Sequence, residues 1–309
     1  MLQTVAIIGA TGLQGGSVLN ALYGAGKYKL IAITRNISSE SAKAIKKKHP
    51  GVELSEANIN DVESLTKAFR GADTVFGITQ FFQPDVLKNV ESGDLDAEYK
   101  QGKNIVDAAI AAGVKNMIYS SLPSMKAFSS GKYAGVLHFE GKKKVENYLL
   151  SKVDKICGAV VYLGFYMENY VDFSRISPGD KETVEFTLPL PATTQLPLVD
   201  TANDAGGVVA YILDHFDDFI GKGLEISSGY YEAQEMVKAF HEVTGKPARY
   251  VQIPLSALHS EELGQMFKGI EEFGYFNGNT GFLEVNKKMD YKHTTPVDFW
   301  KNRGWTGPS

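Results

Sequence analysis

Apolar residues in the first half of the chain fall in short unbroken runs instead of alternating with polar ones, as in Val5-Ala6-Ile7-Ile8. Runs of that kind suit strands covered on both faces. They predict strands at residues 4–8, 30–34, 52–54, 74–78, 116–120 and 158–162. Between them lie stretches of helical period with glycine stops: 13–23 before Gly24 and Gly26, 61–69 before Gly71, and 99–112 before Gly113. Strand and helix in alternation make parallel strands joined by helical crossovers. A helix at 201–215, a strand at 224–226 and a helix at 232–243 continue the pattern after an interruption. That interruption, 172–198, carries Pro178, Pro189, Pro191 and Pro197 and predicts loop and edge strand. Beyond Gly245 shorter helices and loops are expected. The fold class is therefore α/β, a Rossmann-type doubly wound parallel sheet with a smaller α+β C-terminal lobe. Residues 1–165 with 196–235 are expected to form the nucleotide domain, and 166–195 with 236–309 the smaller substrate or partner lobe.

Composition narrows the function classes. Of 309 residues, 43% are hydrophobic and 22% charged, close to the globular average, which disfavours disorder. The formal net charge of −4 offers no global positive field for nucleic acid, and no direct nucleic-acid partner is expected. The single cysteine, Cys157, excludes an intramolecular disulfide framework, and it sits in an apolar run where a buried thiol is expected. Six scattered histidines form no ligand pattern, so no metal site is expected. The opening apolar run stops at Gly9 and reads as a buried strand; the uncharged stretch 156–167 is shorter than the ~20 residues a membrane span requires. A cytoplasmic protein without a membrane partner is expected, with the nucleus as a second location.

Glycines number 31, about one residue in ten, and their placement carries the chemistry. Gly9-Ala10-Thr11-Gly12-Leu13-Gln14-Gly15-Gly16-Ser17 follows the first strand and opens the first helix. Glycines there let the backbone turn tightly and approach a pyrophosphate, which a helix N-terminus favours. Residues Gly9 to Gly15 are thus candidate cofactor contacts. Sites for NAD place an acid at the end of the second strand to bind the ribose 2′-hydroxyl, whereas an arginine accommodates a 2′-phosphate. Here that strand ends in Thr34-Arg35-Asn36. Arg35, with Asn36, Ser38 and Ser39 as further donors, predicts NADP(H) over NAD(H).

The glycine turn, the Thr34-Arg35-Asn36 ending, the segment Gln101-Gly102-Lys103-Asn104-Ile105-Val106-Asp107, His138-Phe139-Glu140-Gly141-Lys142 and Phe165-Tyr166-Met167-Glu168-Asn169 together resemble the NmrA-like family. That family comprises atypical members of the short-chain dehydrogenase/reductase superfamily. The resemblance implies an NADP(H)-binding protein, often a redox sensor or regulator with a protein partner and little turnover; relatives also include NADPH-dependent oxidoreductases. Strand ends at the crevice predict further cofactor contacts at Asn58 and Ile59 after strand three and at Thr79, Gln80 and Phe81 after strand four, and Tyr162, Gly164 and Phe165 after strand six resemble the family's nicotinamide-side segment. Tyr162 and Leu163 stand where family members commonly carry arginine and proline. By the same resemblance Lys142 takes the place of the lysine that binds the nicotinamide ribose, and Ser121 is a substrate-orienting serine or proton donor. The superfamily's tyrosine acid is replaced by His138, one helical turn before Lys142. Were the chain an enzyme, His138, Ser121 and Lys142 would be its catalytic groups, and its substrate a small carbonyl, imine or quinone-like molecule. Residues 84–96, with Gly93 and several acids, are expected to form a loop that orders on cofactor binding.

Overall fold

The computed structural model describes residues 2–289 and 291–308. The chain runs β1 (Gln3–Ile8), α1 (Leu13–Ala25), β2 (Tyr28–Thr34), α2 (Glu40–Lys48), β3 (Glu53–Glu56), α3 (Val62–Ala68), β4 (Thr74–Ile78), α4 (Pro84–Glu91), α5 (Ala97–Ala111) and β5 (Asn116–Ser121). It continues through α6 (Met125–Phe128), α7 (Leu137–Leu150), β6 (Cys157–Leu163), β7 (Phe165–Tyr166), α8 (Asn169–Asp172), β8 (Ser174–Ser177), β9 (Asp180–Leu188), β10 (Leu196–Val199), α9 (Thr201–Asp214), α10 (Phe216–Phe219) and β11 (Gly223–Ile226). The remainder holds β12 (Gly229–Tyr231), α11 (Ala233–Thr244), β13 (Ala248–Gln252), a short 3-10 turn (Leu255–Leu258), α12 (Glu261–Phe273), α13 (Phe282–Asn286) and α14 (Pro296–Arg303).

Seven strands form one sheet in the order β11-β6-β5-β4-β1-β2-β3. The pairs β1–β2, β1–β4, β2–β3, β4–β5 and β5–β6 are all parallel. Its central strands are apolar on both faces, and β1 is buried from Thr4 through Ile8. The Rossmann-type α/β fold read from the strand pattern is what forms. Strand order reverses between β1 and β4, and in such sheets ligands bind outside the carboxyl ends of the strands at that switch point.

The chain divides into two compact units, Met1–Ser124 with Leu137–Tyr162 and Ala205–Leu224, and Met125–Val136 with Leu163–Asp204 and Glu225–Ser309. In the first unit, α5 and α7 lie unusually close. A Cβ on Gly102 of α5 would meet Val145 Cγ2 of α7 at 2.2 Å, so only a glycine permits the approach. The second unit contains two three-stranded sheets, β12-β10-β7 and β13-β9-β8. Trp300 is fully buried there against Phe186, Phe240 and Trp305, and its indole N–H donates to the Met236 carbonyl at 3.0 Å.

Two expectations are corrected. Residues 84–91 form helix α4, with Pro84 in its first turn, where the missing N–H costs nothing. Only the stretch after it turns, through Gly93 at φ +97°. The interruption at 172–198 holds the expected edge strand as β8, but also β9 at the centre of its sheet and most of β10; Pro178, Pro189 and Pro191 flank β9, while Pro197 lies within β10. A smaller shift concerns α1, which passes through Gly24 and ends at Gly26, left-handed at φ +67°.

Candidate functional site

Gly9 ends β1 with φ +68°, a region L side chains rarely adopt. The chain then closes on itself: Gly12 N donates to Gly9 O at 2.8 Å and Gly16 N to Gly12 O at 2.9 Å, starting α1. A Cβ on Gly15 would lie 2.3 Å from Gly9 O, so that glycine is demanded by the helix resting on the strand end. Gly12 differs, since a Cβ there would approach nothing nearer than 3.4 Å, and Thr11, Gly12 and Leu13 are exposed. Helix α1 has neither a capping side chain nor an acid in its first turn, while Ser39 caps α2 and Asp61 caps α3. Helix α1 therefore opens without a side-chain cap, and Gly12, lacking a Cβ, leaves the space at its own Cα open. A pyrophosphate fits that cradle in charge and in shape. Gln14 is buried, and its Oε1 accepts from Ser120 Oγ at 2.7 Å, tying the turn to β5. Ala10 is buried beneath the turn.

Arg35 is exposed at the end of β2, where its Nη1 donates to Gln83 Oε1 at 3.3 Å. Gln83 Nε2 in turn donates to Gln80 Oε1 at 2.6 Å, linking the ends of β2 and β4. Asn36 Oδ1 accepts from Ser38 N at 2.8 Å, and Ser39 Oγ accepts from Ala42 N at 3.2 Å. Asn58 N donates to Ser64 Oγ at 2.9 Å, and the Ile59 carbonyl accepts from Asn104 Nδ2 at 3.2 Å. One acid that the reading of β2 missed comes from the neighbouring strand: Glu56 Oε2 accepts from Ile37 N at 3.2 Å.

Lys142 occupies a built cluster. Its Nζ donates to the Thr79 carbonyl at 2.7 Å, to Thr79 Oγ1 at 3.1 Å and to Glu98 Oε1 at 2.6 Å. The lysine side chain is 13% exposed and the glutamate 2%. Thr79 Oγ1 also bonds Glu98 Oε1 at 2.9 Å and Tyr119 Oη at 2.8 Å. Burial, with the Glu98 charge adding to it, pushes the Tyr119 phenol well above its ordinary range. A Cβ on Gly141 would stand 3.0 Å from Glu98 Oε2, so this glycine makes room for the carboxylate. His138 shares the α7 face of Lys142 and stands against Phe81, Phe82 and Phe139, with centroids 5.8, 5.3 and 4.8 Å away. Ser121 faces away into the protein: it is 1% exposed, and its hydroxyl donates to Glu146 Oε2 at 2.9 Å.

Helix α7 and the ends of β1, β4 and β5 thus bring Gly9–Gly15, Ser120, Thr79, Phe81, His138 and Lys142 into one unit. Tyr162 is in the same unit, with its hydroxyl donating to Glu146 Oε1 at 2.8 Å. Gly164 and Phe165 belong to the second unit. A Cβ at Gly164 would lie 2.1 Å from the Pro197 carbonyl, and Phe165 pairs with Leu198 between β7 and β10. Sequence reasoning missed Glu98, Glu56, Gln83 and Glu146. Glu56 was within reach, since a parallel β2–β3 pair must set their last residues side by side. Glu98 is one acid among several around 91–98 and carried no distinguishing signal. Among the described residues, no cluster of His, Cys, Asp and Glu is arranged to hold a metal, and no helix is long and apolar enough to cross a membrane.

The model of the NmrA-like family matches residues 1–302. An NmrA-like family domain-containing oxidoreductase, cpsB of Aspergillus campestris, is 33% identical over 262 residues, covering 80% of this chain and 75% of its own. The solved structure of NmrA, a negative transcriptional regulator, in complex with NADP has a TM-score of 0.72 at 23% identity, covering 98% of this chain and 92% of its own. The same regulator in complex with NAD gives 0.72 at 23% identity, covering 99% and 92%.

Proposed function

The chain belongs to the NmrA-like family, and from that premise we propose that it binds a nicotinamide dinucleotide, NADP(H) by preference, and senses its redox state with little turnover. The glycine cradle at Gly9, Gly12 and Gly15 would take the pyrophosphate, and Arg35 with Ser38 and Ser39 the adenosine end. Asn58, Ile59, Thr79, Gln80 and Phe81 stand at the strand ends that flank it. The bound cofactor supplies a hydride donor or acceptor; whether the chain exploits that depends on its own proton donors and on Lys142. One observation carries the sensor reading. The three N–H bonds of the Lys142 ammonium already have acceptors in Thr79 and Glu98, while the Ser121 hydroxyl is buried on Glu146. A lysine held this way keeps its charge neutralised by protein, and a buried serine does not meet a substrate. Cofactor occupancy would then set the binding of a regulatory protein partner.

The second reading is an NADPH-dependent reductase, favoured by the oxidoreductase name of the 33% identical relative. There Lys142 would leave Glu98 for the ribose hydroxyls. His138, or Ser121 once released from Glu146, would hand a proton to a carbonyl, imine or quinone-like substrate. The two are separated by incubating the protein with stoichiometric NADPH and a panel of such substrates while following cofactor absorbance and fluorescence. Saturable NADPH binding without consumption supports the sensor. Steady consumption that disappears in Lys142→Ala overturns it, and absence of NADPH binding overturns both readings.

A further inference from the structure

We propose that Glu56 is a specificity-determining residue of the dinucleotide site, whose carboxylate opposes Arg35 and so opens the site to NAD(H) as well as NADP(H). The inference rests on the proposed cofactor reading and refines it. Discrimination between the two cofactors conventionally turns on the last residue of the second strand, and there the chain has Arg35 and no acid. The fold restores an acid by another route. Strands β2 and β3 run parallel with Thr34 opposite Glu56, so the last residue of β3 arrives beside the last residue of β2. Glu56 is exposed, and its Oε2 accepts the Ile37 N–H at 3.2 Å. The carboxylate is thereby built into the loop that carries Arg35, Asn36 and Ser38.

Arg35 keeps its charge available. Its guanidinium meets the neutral amide of Gln83, and among the described residues it forms no ion pair with Glu56. Two opposite charges thus flank one short loop without cancelling in direct contact. A 2′-phosphate, carrying close to two negative charges near neutral pH, is drawn by Arg35 and repelled by Glu56. A 2′-hydroxyl gains nothing from the guanidinium, yet it donates a hydrogen bond to a carboxylate. The pair therefore pulls the preference in opposite directions, and neither cofactor is shut out.

The test measures dissociation constants of NADP+ and NAD+ by calorimetry for wild type, Glu56→Gln and Arg35→Ala, at low salt and at high salt. Glutamine keeps an oxygen for the Ile37 N–H, so the loop is retained and only the charge is lost. The ratio of NADP+ to NAD+ affinity is expected to rise about fivefold in Glu56→Gln, the effect of one exposed charge, and to fall in Arg35→Ala. The Glu56→Gln shift should shrink at high salt, which a merely structural contribution would not do. Glu56→Ala, which removes the acceptor too, should move the ratio the same way. An unchanged ratio in both Glu56 variants, or equal loss of both cofactors, overturns the role of Glu56 while leaving dinucleotide binding intact. Wild type binding neither cofactor overturns the cofactor reading itself.

Discussion

Replacing Lys142 by methionine tests the cluster on which the sensor reading depends. The substitution keeps the length of the side chain and deletes the ammonium that satisfies Glu98 at 2.6 Å. Glu98 is then left 2% exposed, with only the Thr79 hydroxyl among its known donors. Removing one partner of a buried pair typically costs about 3–5 kcal/mol, because the remaining charge is stranded. Since Lys142 is itself 13% exposed, some water reaches the pair, and the lower half of that range is expected. For a chain of 309 residues the range corresponds to a fall in Tm of about 5–8 °C. The reverse variant, Glu98→Gln, should cost less: it leaves a cation that keeps two Thr79 acceptors and lies nearer solvent. The double variant Glu98→Gln with Lys142→Met should recover most of the loss, since neither charge remains to be desolvated. Urea denaturation of all four proteins measures the cycle. A Lys142→Met loss below about 1 kcal/mol, or a double variant as unstable as the two single losses added, would refute the reasoning.

Three further outcomes are expected. Gly15→Ala should disrupt the turn and its folding, because its Cβ would stand 2.3 Å from Gly9 O, whereas Gly12→Ala should melt like wild type yet bind NADPH at least about tenfold more weakly; titration and thermal scans distinguish them. Asp204 is buried in the second unit with Tyr291 and Thr294 donating to it, and burial pushes its carboxyl up to about 6. Its folded form holds a proton that the unfolded form releases near pH 4, so its contribution falls by about 3 kcal/mol as pH rises from 4 to above 6. Asp204→Asn should flatten that part of the urea-midpoint profile, and an unaltered profile would locate the effect elsewhere. Gly102→Ala should cost about 1–3 kcal/mol through its 2.2 Å approach to Val145, and Val145→Ala in the same chain should restore much of it, as read by thermal unfolding.

The strand runs and glycine stops in the first half sufficed for the sheet, because a parallel strand buried on both faces writes its burial directly into consecutive apolar residues. The turn at Gly9–Gly15 was equally legible, since strand, glycines and helix follow one another in the chain. Partnerships across the fold were not. Lys142 could be placed at the crevice, but its commitment to Glu98 depends on how closely α7 approaches α5, which Gly102 and Gly141 set through packing. Ser121 could be put at the end of β5, yet the alternation of the strand decides its direction: Ser120 points to Gln14 and Ser121 to Glu146. Residues 172–198 misled because prolines mark the ends of β9 as readily as they mark loops.

The seven-stranded sheet is assembled from distant parts of the chain. Its strand β6 ends at Leu163 and its neighbour β11 begins at Gly223, with β7 to β10 made in between. During synthesis at roughly 5–20 residues per second, the flank of β6 waits about 3–12 s for the strand that covers it. For that interval a core strand is an unpaired edge, the kind of surface on which chains aggregate. The half of the molecule that carries the glycine turn is therefore written first but finished late. Slow translation or substitutions between β6 and β11 should show themselves as lost soluble yield before any loss of cofactor binding.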